Sequence, residues 1–294
     1  MSLADVSVVM PAYNNAQTIA RALASVAAQT LPPRQVVVVD DGSVDGTADM
    51  AESCRPGLGA TELVVVRQAN QGAGAARNRA LVAASSTFVA FLDADDEWLP
   101  DKIRVSLDLL ADPEILYVSH DVLVQECDGR QSVRDCARHF AQAGDPFLAL
   151  SVRGFVGTST VVARRQAVLD AGGFEPSLRA AQDHDLWLRL ARIGRFRVFP
   201  GALMRYHVNP SGITANVARR RHCSYAVLRR HLPAMRARPG GWRAALTRAV
   251  ILHVEAAAAF RQQGHWWKAV GEMIRVGPAL ASVVWWLATM RADH

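Results

Sequence analysis

The sequence predicts an α/β protein built on a mostly parallel sheet, followed by a C-terminal helical region. Three observations point there. Short β-branched runs alternate with helical patterns four times within the first hundred residues. The second of those runs is β-branched from Val36 to Val39 and the fourth is wholly apolar, as strands covered on both faces are. From Ala215 onward strand signals stop and long helical patterns take over.

Val6–Met10 reads as a buried strand ending at Pro11, which has no amide to donate to a ladder. Ala16–Gln29 has helical spacing, with Ile19, Leu23 and Val26 on one face. Gln35–Val39 is a second strand and runs into the turn Asp40-Asp-Gly-Ser43. Thr47–Cys54 is a helix, Leu63–Val66 a third strand and Gly74–Ala84 a third helix. Phe88–Leu92 is the fourth strand and ends at Asp93. Further on, Asp101–Leu110, Arg165–Ala171 and Asp183–Ile193 read as helices. Ile115–Val124, Thr158–Ala163, Phe196–Phe199 and Ala202–Tyr206 read as strands. The tail contains helices at Val217–His231, Trp242–Gln263 and Trp266–Met290, with breaks at Pro239-Gly-Gly241, Gly264 and Pro278.

Composition narrows the class. Half the residues are hydrophobic and 20% are charged, which excludes global disorder. Four scattered cysteines make no Cys-x-x-Cys pair, so neither a disulfide scaffold nor a zinc ribbon is expected. They are read as reduced, mostly buried thiols of a cytoplasmic protein. No secretory signal opens the chain and no apolar stretch is long enough to span a bilayer. The net charge of +6 is uneven: residues 1–200 carry 19 Lys+Arg against 24 Asp+Glu, and residues 201–294 carry 14 against 3. All cations but Lys102 and Lys268 are arginines. A basic end suits an anionic partner, or else solvated helix faces.

In open α/β sheets ligands bind beyond the carboxyl ends of the strands. Here each early strand ends in polar residues: Pro11-Ala-Tyr-Asn14, Asp40-Asp-Gly-Ser43, Arg67-Gln-Ala-Asn70 and Asp93-Ala-Asp-Asp96. All four should meet on one rim. An Asp-x-Asp at a strand end suits a hard divalent cation, although Asp95, Asp96 and Glu97 would equally serve a helix start. Two acidic turns side by side repel unless a cation or hydrogen-bond donors offset them, and Arg77 and Arg79 are near in sequence. Gly72-Ala-Gly74 invites a dinucleotide reading, but Arg77 stands where the third glycine belongs and the turn follows the third strand rather than the first.

The ordered set Pro11-Ala-Tyr-Asn14, Val39-Asp-Asp-Gly-Ser43, Gly74-Ala-Ala-Arg-Asn78 and Phe91-Leu-Asp-Ala-Asp-Asp96 resembles glycosyltransferase family 2, the inverting enzymes of GT-A fold. Gly172-Gly-Phe174, Gln182-Asp-His-Asp-Leu-Trp-Leu-Arg189 and Arg205-Tyr-His207 resemble its later segments. The resemblance covers roughly residues 4–215 and implies a GT-A catalytic domain over 1–215, with a basic helical region over 216–294. It implies a nucleotide pocket formed by Pro11, Ala12, Tyr13, Asp41, Arg77 and Asp93. Asp41 would face the base and Asp93 the ribose. Asp95 and His207 would serve Mn²⁺ or Mg²⁺, and Asp183 would be the catalytic base. Gly173, Phe174, Gln182 and Trp187 would lie on the acceptor side, although Trp187 also fits the buried face of its helix. The family often has Glu-Asp where this chain has Gln182-Asp183.

The implied activity moves a sugar from a nucleoside-diphosphate sugar, UDP favoured, to a hydroxyl of a saccharide or lipid-linked acceptor, in surface polysaccharide or glycolipid synthesis. The cation offsets charge on the leaving group, and a carboxylate deprotonates the attacking hydroxyl. Two rivals remain: a nucleotide-sugar binder without transfer activity, for which Gln182 speaks, and a dinucleotide-dependent oxidoreductase. His184 is expected to be exposed or to touch the acceptor. His207 precedes the loop Asn209-Pro-Ser-Gly212, which would open it to the site. In the tail, Arg219-Arg-Arg221, Arg229-Arg230, Trp266-Trp267 and Trp285-Trp286 suit peripheral contact with the inner face of a membrane. They equally suit a cap packed on the catalytic domain or a contact in a homo-oligomer. No nucleic-acid module is present.

Overall fold

A computed structural model describes residues 2–208 and 216–289. The Asn209–Gly212 loop and the end of the last expected helix, Met290, lie outside the described residues.

The core is a nine-stranded sheet in the order β3 (Glu62–Arg67), β2 (Pro33–Asp40), β1 (Ala4–Ala12), β4 (Phe88–Phe91), β8 (Val162–Arg164), β6 (Ile115–Gln125), β9 (Arg195–His207) and β5 (Glu97–Trp98), with β7 (Gln131–Arg134) paired to β6. The strands β1 (Ala4–Ala12), β2 (Pro33–Asp40), β3 (Glu62–Arg67) and β4 (Phe88–Phe91) run parallel. Helices α1 (Ile19–Ala27), α2 (Thr47–Ser53) and α3 (Ala73–Ala83) connect them. The valines of β2 are buried on both sides, as that alternation requires. β1 runs through Pro11, which stays in register with Val39, so the strand is longer than its proline suggested. The registers Ala12↔Asp40 and Asp40↔Arg67 bring three strand ends level, and the loop after β4 joins them.

The second half is mixed. α4 (Lys102–Leu109) leads to β6 (Ile115–Gln125) and its hairpin partner β7 (Gln131–Arg134). Helices α5 (Cys136–Ala141) and α6 (Pro146–Arg153) follow. The expected strand at 158–163 is instead a 3-10 turn, Thr158–Thr160, followed by β8 (Val162–Arg164), antiparallel to β4. That direction returns the turn to the rim where β4 ends. After α7 (Arg165–Asp170) comes α8 (Gln182–Ile193). Two expected strands then form one, β9 (Arg195–His207). The Pro200-Gly201 step does not break it, because the Gly201 amide donates to Asp121 of β6 at 2.9 Å and the pairing resumes beyond a bulge. The two-residue strand β5 (Glu97–Trp98) pairs with β9, setting Glu97 against Arg205.

Helices α9 (Val217–Arg236), α10 (Gly241–Gln262), α11 (Trp266–Ile274) and α12 (Val276–Thr289) complete the described chain. The break between the last two falls at Arg275. Pro278 sits in the first turn of α12, where a missing amide costs nothing. One hydrophobic core joins the sheet to Val227, Leu232, Ala249 and Leu252 of α9 and α10. Buried Asp185 on α8 ties the helices together: it accepts from Arg189, Arg230 and His231. Of the cysteines only Cys136 and Cys223 are buried; Cys54 is half-buried and Cys127 exposed, so the thiols are less buried than expected.

Candidate active site

The four polar strand ends do converge. They line a cavity of about 710 Å³ bounded by Pro11, Ala12 and Tyr13 of β1 and its loop, Asp41, Arg77, and the Asp93–Asp96 loop. A second cavity of about 340 Å³ adjoins it, with Asp183 in its wall. Arg77, Asp93 and Gln182 border both.

Each wall has a local cause. Asp41 is buried. Its Oδ1 accepts from Gln68 Nε2 and the Gln71 amide, each at 2.8 Å, and its Oδ2 from the Gly72 amide at 2.7 Å. The carboxylate thereby folds the loop after β3 against the loop after β2. Gly72 holds φ at 94°, a conformation that side-chain-bearing residues rarely adopt. The Gln71 and Gly72 amides are thus already turned onto Asp41, where a dinucleotide pyrophosphate would need such groups.

Asp93 receives Arg77 Nη2 at 2.6 Å, and its amide donates to Ser159 Oγ at 3.1 Å. Arg77 is buried in α3 with its Nε lacking a partner, and its guanidinium lies 5.3 Å from the centre of the Phe174 ring. Arg79 is exposed and does not border the cavity. Of the two arginines near in sequence, Arg77 is thus the one that answers the acidic rim, through Asp93.

Asp95 borders the larger cavity, and its carbonyl accepts from Arg21 at 2.8 Å. Asp96 is buried against Ser159 Oγ at 2.5 Å, while its Oδ1 has no hydrogen-bond partner. Burial, together with the charges of Asp93 and Asp95, pushes the Asp96 carboxyl well above its ordinary range. Among the described residues no three His, Cys, Asp or Glu side chains are grouped to hold a metal ion. Hard cations such as Mg²⁺ also bind through one or two carboxylates completed by substrate phosphates. The oxygen-rich loop Asp93–Asp96, with an orphaned buried oxygen, fits that donor chemistry.

His207, at the end of β9, is drawn toward Glu97: its Nε2 lies 3.3 Å from Glu97 Oε2, and Arg205 Nη1 donates to the same oxygen at 2.9 Å. Partial burial works against the Glu97 charge, but the bonds from His207 and Arg205 outweigh it and hold that carboxyl below its usual value. His207 therefore sits beside the acidic loop, engaged with Glu97, and is not in the cavity wall.

Asp183 stands in the first turn of α8. Its Oδ2 accepts from Thr158 Oγ1 at 2.9 Å and its Oδ1 from the His184 amide at 2.8 Å. Ala181, two residues before it, has φ at 56°, and Asn14, in the loop after β1, has φ at 52°. These are the two non-glycine residues with positive φ among those described, and both line a cavity.

Several expected contacts are corrected by burial. Trp187 and Phe174 are wholly inside, packed edge-on at 6.0 Å and each 5.5 Å from Phe91, so neither presents a surface to an acceptor. Gly173 lies against Asn78 and lines neither cavity. His184 is buried rather than exposed, its Nε2 3.0 Å from the Leu150 carbonyl oxygen. Burial pulls its pKa down to about 3, so it stays neutral. Sequence reasoning missed Thr158 and Ser159, which hold Asp183 and Asp93. The only local signal was a hydroxyl-rich run, Thr158-Ser-Thr160, just before an apolar strand.

A mostly parallel central sheet with flanking helices, in this strand order, is the fold of the GT-A type glycosyltransferases. The solved structures agree on the fold. TarS of S. aureus in complex with UDP-GlcNAc aligns over 94% of this chain and 81% of its own, with TM-score 0.67 and 22% identity. The mannosyltransferase PcManGT of Pyrobaculum calidifontis in complex with GDP-Man and Mn²⁺ aligns over 98% and 81%, with TM-score 0.65 and 23% identity.

The family model for glycosyl transferase family 2 matches residues 7–168, and the chain belongs to that family. The amylovoran biosynthesis glycosyltransferase AmsB of Erwinia amylovora is 32% identical over 215 residues, 69% of each chain. An uncharacterized glycosyltransferase of Nostoc is 36% identical over 132 residues, 45% of this chain and 40% of its own length.

Proposed function

We propose that this chain transfers a sugar from a nucleoside-diphosphate sugar to an acceptor hydroxyl with inversion, assisted by Mn²⁺ or Mg²⁺. The observation that carries the reading is the adjoining pair of cavities, one rimmed by Asp41, Asp93 and Asp95, the other holding Asp183, with Arg77, Asp93 and Gln182 between them. The nucleotide would occupy the larger cavity, against Pro11, Ala12, Tyr13 and Asp41. Asp95, with Asp93 beside it, would hold the cation. When bound, such a cation offsets the negative charge that gathers on a departing diphosphate.

The chain's own residues do the rest. Asp183 takes the proton from the acceptor hydroxyl as that oxygen attacks the anomeric carbon. Thr158 keeps the carboxylate oriented through its hydroxyl. Arg77 is the buried cation nearest the point where the cavities meet, and it can answer charge on Asp93 or on the donor. His207 steadies Glu97 and the neighbouring loop. TarS and PcManGT carry UDP-GlcNAc and GDP-Man in their structures, which supports a sugar nucleotide here, and AmsB's role in amylovoran biosynthesis supports a polysaccharide product.

The tail supports peripheral membrane contact. Among the described residues no helix is long and apolar enough to cross a bilayer. α11 nevertheless exposes Trp266, Trp267, Val270, Met273 and Ile274, with Ile274 72% exposed, and Trp266 stacks on Trp267. Lys268 and Arg275 lie on the same helix or at its end. Apolar side chains edged with cations suit the interface of an anionic bilayer.

A thermal-shift comparison tests the donor reading. UDP or GDP should raise the melting temperature only with Mn²⁺ or Mg²⁺ present, and Asp95→Ala should weaken that metal-dependent binding by roughly 100-fold. A nucleotide response equally strong in EDTA, or unchanged in Asp95→Ala, would remove Asp95 as a ligand.

A further inference from the structure

The smaller cavity is strongly basic. Six arginines face three carboxylates in its wall. Some of these cations are already matched: Arg77 with Asp93 at 2.6 Å, and Arg248 with Glu255 at 3.7 Å. Arg221 turns to Glu272 of α11, at 3.4 Å. Arg134, Arg153 and Arg220 have no carboxylate within 4.0 Å among the described residues. They come from three separate elements, β7, α6 and α9, yet border one cavity with Asp183. Buried Arg248 lies close to Arg220 as well. Burial lowers its pKa, and the charge of Arg220 adds to that effect against the pull of Glu255.

Converging like charges without a counter-ion repel one another, and such a concave group favours an anion. The larger cavity is closer to balance, with Asp41, Asp93, Asp95 and Asp96 against Arg77, Arg179 and Arg219 in its wall. A donor diphosphate met by a cation is served there, so these arginines are not needed for it.

We infer that the acceptor is an anionic saccharide, its phosphate or carboxylate held by Arg153 and Arg220 while a neighbouring hydroxyl meets Asp183. This rests on the transfer reading above and adds the chemical class of the acceptor. A phosphate would come from a phosphate-linked sugar and a carboxylate from a uronic acid; guanidinium groups pair with both.

Calorimetry on the whole chain, saturated with UDP and Mn²⁺ so that the donor cavity is filled, separates the cases. The probes are glucose 1-phosphate, methyl glucuronide and the neutral methyl glucoside. At least one anionic probe should bind roughly tenfold or more tightly than methyl glucoside. The anionic probe that binds identifies the source of the charge. Arg153 is exposed and Arg220 half-buried, so Arg153→Gln and Arg220→Gln should fold. The double variant should lose the anionic preference while keeping Mn²⁺-dependent UDP affinity. Equal binding of all three probes by the unaltered chain, or an undiminished preference in the double variant, would overturn the inference and leave the donor reading intact. Failure of the unaltered chain to bind UDP with Mn²⁺ would overturn both.

Discussion

Two donors hold the Asp183 carboxylate, the adjacent His184 amide and a distant hydroxyl. Thr158 comes from a 3-10 turn that β8 carries back to the rim, and its bond to Asp183 Oδ2 spans 25 positions of sequence. Such a contact to a charged group contributes about 1.5–3 kcal/mol. Thr158→Val should therefore lower kcat about tenfold with the donor KM unchanged, because the hydroxyl orients a base and does not touch the nucleotide. Steady-state kinetics check this, and a change confined to donor KM would count against it. At this scale the sequence was legible where chemistry is local. Asp41, Arg77, Asp93 and Asp95 stand in short motifs beside strand ends, and all four border the larger cavity. Thr158 and Ser159 were not legible, since their roles exist only after β8 pairs with β4. Phe174 and Trp187 misled because aromatic residues beside a motif serve packing as readily as sugar binding.

At the scale of elements, α8 carries both the candidate base and two titratable anchors. The His184 side chain is buried and its pKa lies near 3, so the folded state refuses a proton that the unfolded chain accepts below its ordinary value of 6.5. A depressed histidine stabilises the fold fully above pH 6.5 and loses that contribution as pH falls toward 3. By pH 5 the loss is about 2 kcal/mol. Asp185 resists burial through His231, Arg189 and Arg230, which bring its pKa to about 2. Its contribution persists above about pH 4 and fades only below. Melting curves from pH 7 to 5 should therefore fall, and His184→Asn should flatten that slope; an equal slope in the variant would exclude His184 as its source.

The tail helices give a second prediction. Trp266→Ala with Trp267→Ala should reduce co-sedimentation with phosphatidylglycerol vesicles by about tenfold or more, in proportion to the apolar area removed. Retained binding would assign α11 another role. The parallel strands and their helices were legible from alternation alone. β5 was not, being two residues long and defined by β9. The hairpin before β7 and the start of α6 do carry signals in the sequence, Asp128-Gly129 and the Asp145-Pro146 cap.

Across the whole molecule, a nearly balanced cavity and a basic one share one cleft. The sheet supplies an acidic rim, and α6, α9 and β7 supply a basic wall. The charge asymmetry of the sequence, acidic before residue 200 and basic after it, foreshadowed the part of that wall supplied by α9 and α10, but Arg134 and Arg153 come from the acidic half, and the asymmetry could not say that the basic helices fold back over Asp183. They do so because α10 packs on α6 and because Arg230 and His231 of α9 grip Asp185. The central claim is that binding and transfer belong to different carboxylates of this cleft. Asp183→Asn isolates it: sugar transfer from a UDP-sugar and metal-dependent UDP affinity are measured on the same preparation. Transfer should fall by about 10²-fold or more while UDP affinity stays within about twofold. Transfer at the unaltered rate would show that Asp183 is not the base and that the two cavities do not form one active site.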